Sequence, residues 1–167
     1  MLCEVKIRLT RPMLGKIRTK TVGGGSTGYV RRFARTRSKA IAIDEAHWIW
    51  AFRQAAVDMH LENVDTSRLH PSDGIPAPTL CYYEKRWQSH SEDSDDPQQK
   101  EGFESVRTGS VLTFRIALSD KPAADGAPPT LEQLEALLNH IGEFFGISQW
   151  GNKFGYGRFH VESISVL

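Results

Sequence analysis

The stretch that most narrows what this chain can fold into is Pro128-Pro129-Thr130 followed by Leu131, Leu134, Leu137, Leu138, Ile141 and Phe145. Apolar residues recurring at this rhythm form one stripe along a helix. Thr130 and Gln133 have capping-box spacing, and Gly146 is placed to stop the helix. A stripe of large aliphatics must be covered, and the sequence offers a sheet to cover it. Cys3, Val5, Ile7 and Leu9 alternate with Glu4, Lys6, Arg8 and Thr10, and Leu112, Phe114, Ile116 and Leu118 alternate within VLTFRIAL. A period of two predicts half-buried strands over 2–10 and 111–118.

The remaining segments follow. A helix is predicted over roughly 43–60, started by Asp44. Trp48, Ile49, Phe52, Ala55, Ala56 and Met59 lie on its apolar face, flanked by Ala46, Trp50 and Val57, with Asp44, His47, Gln54 and Asp58 opposite. Trp48 and Trp50 are expected in the core. Residues 62–78, with Pro71, Pro76, Pro78 and Asp73-Gly74, read as a connecting loop. TLCYYEKRW (79–87) is rich in strand formers. Residues 88–105 carry Glu92, Asp93, Asp95, Asp96, Glu101 and Glu104 against Lys100, and are expected to form a mobile acidic loop. RFHVESISVL is strand-like, with a slip at Ser163 that suggests a bulge.

The resulting order, β-α-β-β-α-β, predicts an α+β, ferredoxin-like domain. Four antiparallel strands would carry two helices on one face, with a glycine-rich loop before the last strand. A single domain over residues 1–167 is expected, with a basic glycine-rich insertion at about 11–42.

The net charge of +1 hides an asymmetry. Residues 1–40 hold eleven Lys and Arg against one acid, Glu4, a charge of +10, whereas the rest hold ten basic and nineteen acidic residues, or −9. Clustered like charges repel unless something neutralises them, so the basic part predicts a polyanionic partner. The acidic half of the same fold is the competing neutraliser. Cys3 and Cys81 are far apart, lack CxxC spacing and read as reduced core thiols. No apolar run approaches the roughly 18 residues of a membrane span, and MLCEVKIRLTRP has no apolar signal core. A cytoplasmic location without membrane association is expected.

Residues 146–159, GISQWGNKFGYGRF, interleave glycines with Trp150, Lys153, Phe154, Tyr156, Arg158 and Phe159. Such a loop can bring backbone amides, cations and aromatic faces to a nucleic acid strand. Equally, its aromatics can complete a core. A glycine-rich loop directly before the final strand of this element order resembles the repeat-associated mysterious protein (RAMP) superfamily, RNA-binding proteins of CRISPR systems. At residue level the resemblance rests on Gly151, Gly155 and Gly157 with Lys153 and Arg158. It implies that this loop helps cradle RNA and that a protein subunit partner is plausible. Gln149-Trp150 and Gly155-Tyr156-Gly157-Arg158-Phe159 also resemble the tails of small phage and prophage proteins, a likeness that brings no activity with it; if phage-encoded, the chain would act in the host cytoplasm.

The expected function is binding of single-stranded nucleic acid, RNA by resemblance, without catalysis and without cofactor or metal. Arg31, Arg32, Arg35, Arg37, Lys39, Lys153, Arg158, Gly151, Gly155 and Gly157 are the candidate contacts. One alternative is a metal-independent RAMP-type endoribonuclease with His47 as general base and Tyr29, Lys39 or Tyr156 assisting, although His47 falls on a polar helix face where solvation is expected. Another is an interaction subunit that binds no nucleic acid. An RNA recognition motif would need aromatics where this sheet shows Lys6, Arg8, Thr113 and Arg115. GGGSTG lacks the Lys-Ser/Thr of a P-loop, and the acidic stretch lacks EF-hand spacing.

Overall fold

A computed structural model of the chain describes residues 1–19, 28–76, 78–86, 100–119, 126–147 and 155–167. Its elements, in chain order, are β1 (Leu2–Leu9), β2 (Met13–Leu14), β3 (Ile17–Thr19), β4 (Gly28–Val30), β5 (Ile41–Ala42), α1 (Glu45–Asp58), β6 (Leu69–Pro71), β7 (Gly74–Ile75), β8 (Cys81–Arg86), β9 (Lys100–Val106), β10 (Val111–Leu118), α2 (Leu131–Phe144) and β11 (Phe159–Val166). The protein is α+β, with two helices and a four-stranded antiparallel sheet in the order β11-β1-β10-β6.

The alternating rows explain that sheet. Cys3, Val5 and Ile7 lie opposite Ile116, Phe114 and Leu112, so both apolar rows share one face. All six are buried in one cluster with Trp48, Ala51, Phe52, Ala55 and Ala56 of α1 and Leu134, Leu137, Leu138 and Ile141 of α2. Trp48 stacks on Phe52 and tilts against Phe114, each at 5.5 Å between ring centroids. Burial of each such side chain contributes about 1.5–3 kcal/mol, which makes this cluster the main source of stability. The opposite sheet face, with Lys6 and Arg115 exposed, carries no helix and no Phe, Tyr or Trp ring among the described residues, although the exposed imidazoles of His70 and His160 lie on it.

Asp44 caps α1 by accepting from the Ala46 amide at 3.0 Å. Thr130 and Gln133 close both halves of the predicted capping box on α2. Gly146 ends that helix at φ 70°, its amide donating to Ile141 at 2.7 Å. Gly142 permits α2 to lie against β11: a Cβ there would stand 2.8 Å from the Phe159 ring and closer still to its carbonyl oxygen. The pairing of β1 with β11 shifts between Lys6 and Ile7, leaving Glu162 as the extra residue of a bulge beside Ser163.

Four expectations are corrected. The strand in 79–87 forms, as β8, but not in the main sheet. It pairs with β9, which pairs with β2, in a separate sheet of order β2-β9-β8. Its inward Tyr83 packs with Leu14, Phe103 and Tyr156 in a cluster of their own. The place beside β10 is taken by β6, from the segment expected to be a loop. Leu69 is buried there and Pro71 sits on the sheet edge, where no amide donor is required. Residues 100–105 of the expected mobile loop belong to β9, because Phe103 and Ser105 point inward and are fully buried. Finally, Ala51 rather than Ile49 lies in the core. Ile49 is 52% and Trp50 39% exposed, at the margins of the buried face of α1.

Candidate nucleic-acid interface

The basic segment is tied down by backbone bonds. The Gly15 amide donates to the Glu104 carbonyl (2.8 Å), and the Glu104 amide donates to the Arg31 carbonyl (3.0 Å). Residue 104 is thus held between two parts of the segment. Phe33 turns into the main core while Arg31 and Arg32 stay outside. From there the chain makes a small hairpin. The Thr36 amide donates to the Ala40 carbonyl at 2.9 Å, the Lys39 amide to the Thr36 carbonyl at 3.0 Å, and the Ala42 amide to the Ala34 carbonyl at 2.9 Å. Lys39 takes the left-handed conformation at φ 64°. Arg37 and Lys39 stand exposed around this tip.

The acidic half meets part of the basic stretch, Arg8 pairing with Glu162 of β11. Arg35 pairs with Glu104 and lies over the Phe33 ring. Arg31 lies over the Phe103 ring at 6.0 Å. Arg32, Arg37 and Lys39 have no acid partner among the described residues.

The C-terminal loop is described only at its end, and Gly151, Lys153 and Trp150 lie outside the described residues. Gly155 and Gly157 do take positive φ, 75° and 71°. Gly157, however, spends its amide on the Pro12 carbonyl (2.8 Å) and its own carbonyl on the Ile147 amide (3.0 Å). Arg158 is half-buried and donates to the Glu143 carbonyl in the last turn of α2, a cation at the negative end of a helix. Burial, and next the charge of Arg11, hold its guanidinium below the usual arginine range. Sequence reasoning passed over Arg11, which lies over the Tyr156 ring at 5.7 Å. Tyr156 meets Tyr83 edge-on at 5.8 Å, and burial followed by the Tyr83 hydroxyl pushes its pKa up to about 12.

His47 is not on a solvated face. It is half-buried, and its Nε2 lies 2.8 Å from the Gly146 carbonyl, which only accepts, so Nε2 carries the proton and donates. The helical wheel places His47 opposite the core but does not show that the end of α2 covers it. It lines a cavity of about 180 Å³ with Lys16, Phe33, Ala34, Asp44 and Ile147. Of the proposed helpers, Lys39 is out on the hairpin tip and Tyr156 is buried in the second cluster, while the Tyr29 side chain lies outside the described set. Elsewhere, His140 bridges the helices to Asp58 (3.0 Å), which also accepts from Gln54 (2.8 Å). These bonds, that of Gln54 first, hold the Asp58 carboxyl below the usual aspartate range.

Among the described residues no group of three His, Cys, Asp or Glu could hold a metal ion. Cys3 and Cys81 are free thiols, with Cys3 buried and its pKa raised by that burial. No described helix is long and apolar enough to cross a membrane. No protein-family model matches the chain, and no curated protein matches it in sequence.

Proposed function

We propose that this protein binds single-stranded nucleic acid, RNA in preference, without cleaving it, on a RAMP-like, ferredoxin-like β-α-β-β-α-β frame. The observation that carries the reading is the hairpin of residues 34–42 and its approach. It holds Arg37 and Lys39, with Arg32 beside it, exposed on a fixed backbone and unmatched by acids among the described residues. Cations held apart from internal partners are what a phosphate backbone requires. The frame is supported by the chain order β1, α1, β6, β10, α2, β11 combined with the sheet order β11-β1-β10-β6. The test is to purify the protein at low salt and treat any co-purifying nucleic acid with RNase or DNase. RNase-sensitive material supports the reading. Protein free of nucleic acid that also fails to bind labelled strands overturns it in favour of an interaction subunit.

A second reading, an endoribonuclease, draws support from one feature. His47 is oriented by the Gly146 carbonyl and lines a cavity that Lys16 also lines. A neutral imidazole so held keeps Nδ1 as its acceptor, the form a general base needs.

A further inference from the structure

We infer that Tyr82 is a stacking platform for an unpaired nucleobase, an inference that rests on the nucleic-acid reading above. Tyr82 is 80% exposed, more than any other large apolar side chain described. Aromatic rings ordinarily bury much of their area, and a ring left in water needs a reason. This ring is nonetheless held in place. It lies across the backbone of Gly102 on the neighbouring strand β9, where a Cβ would stand 2.6 Å from the ring carbon Cζ. Glycine inside a strand costs stability through lost backbone freedom, and here its missing side chain leaves the space that the ring fills. One part of the ring is thus supported by the protein and the remainder is presented to solvent.

The surroundings indicate what that surface meets. Directly opposite Tyr82 in register is Glu104, whose carboxylate is engaged by Arg35. That acid is therefore matched by a cation rather than left to repel phosphate. The same residue 104 binds the Arg31 carbonyl through its amide, so the cationic segment begins beside the platform. A docking site for an apolar protein surface would present a cluster of exposed aliphatic and aromatic groups. Tyr82 instead stands beside an ion pair and next to arginines. A single ring beside the Glu104–Arg35 pair, where the backbone of the cationic segment meets β9, fits a strand whose base stacks while its phosphates run on to the exposed cations of that segment. The open face of the four-stranded sheet offers the exposed imidazoles of His70 and His160 but no Phe, Tyr or Trp ring among the described residues.

The test uses the full chain and fluorescein-labelled oligoadenylate, oligouridylate and an abasic strand of equal length. Tyr82→Leu keeps a side chain over Gly102 but removes the π face. It should weaken oligoadenylate binding by about 5- to 140-fold, leave the salt slope unchanged, and leave abasic-strand binding as in wild type. Tyr82→Trp should bind at least as tightly as wild type. Gly102→Ala, which displaces the ring without removing it, should reproduce the loss. Unchanged oligoadenylate affinity in Tyr82→Leu, while Arg32→Ala/Arg37→Ala loses binding, overturns the platform and leaves the nucleic-acid reading standing. No binding of any strand by wild type at low salt overturns both, and the ring is then a protein contact or a cover for Gly102.

Discussion

If Arg32, Arg37 and Lys39 each neutralise one phosphate, their removal has a calculable effect on salt dependence. Each phosphate neutralised on a single strand contributes about −0.7 to the slope of log affinity against log salt. The variant Arg32→Ala/Arg37→Ala/Lys39→Asn should therefore show a slope shallower by about 2. Asparagine is chosen at position 39 because that residue sits at φ 64°, where asparagine is tolerated better than most residues. Between about 50 and about 200 mM salt, wild type should lose about 18-fold more affinity than the variant does. The three side chains are exposed and have no acid partner among the described residues, so the melting temperature should hold and exclude unfolding as the cause. Fluorescence anisotropy with a labelled oligouridylate, repeated across a salt series, supplies the measurement. The informative control is Lys6→Ala/Arg115→Ala on the open face of the sheet. If that pair flattens the slope and the hairpin triple does not, the strand runs across the sheet and the argument from the hairpin fails.

Gly142→Ala should destabilise the protein by about 1–2 kcal/mol in urea denaturation, because about 1 kcal/mol of helix propensity is outweighed by overpacking against the β11 backbone; equal or greater stability would show that α2 can shift. Tyr156, pushed up to about 12, should appear as a late step in an ultraviolet titration of the tyrosines. Because its folded pKa is raised, the stability it contributes is complete below the unfolded value near 10 and is lost as pH rises from there through about 12; a titration in which every tyrosine ionises near pH 10 refutes this. For His47, labelled RNA incubated with wild type in EDTA should remain intact, and His47→Ala should bind as wild type does. Products with 2′,3′-cyclic phosphate ends, abolished by His47→Ala, would establish the nuclease instead.

Local features of the fold were legible in the sequence because their causes are local. The capping box at Thr130 and Gln133, the stop at Gly146, the rows in β1 and β10 and the bulge beside Ser163 depend on residues a few positions apart or on strict alternation. What the sequence does not carry is which strand pairs with which. Residues 81–86 have strand chemistry in either sheet, and the decision rests on the remote partners Phe103, Leu14 and Tyr156. The three residues of β6 are too short for periodicity, and Pro71 argues against a strand except at an edge. Among the site residues, the cationic stretch was visible from composition. That Arg35 is matched by Glu104, that Arg158 closes α2, and that His47 faces Gly146 are all long-range facts. Tyr82 gave no sequence signal beyond its β propensity, since its exposure depends on Gly102 across the strand pair.

The charge asymmetry gains meaning from where the topology spends the acids. A +10 segment could have been answered by an acidic partner within the same chain, and β9 is the described element best placed to do so. It does so through Glu104 and Arg35, while the backbone of the same residue fastens the segment at Gly15 and Arg31. An internal neutraliser would set acids against Arg32, Arg37 and Lys39 as well. Here the contact anchors the segment and leaves Arg32, Arg37 and Lys39 outside, on a hairpin whose turn is fixed by its own bonds. Ordering flexible cations costs conformational entropy, so cations already held by backbone bonds lose less of it when a phosphate binds. Loosening the hairpin without changing its charge should therefore weaken binding. Thr36→Val removes the hydroxyl that accepts from Ala40 at 3.1 Å and retains every cation. A Thr36→Val protein that binds the labelled strand as tightly as wild type would show that charge alone, and not its fixed placement, is what the strand reads.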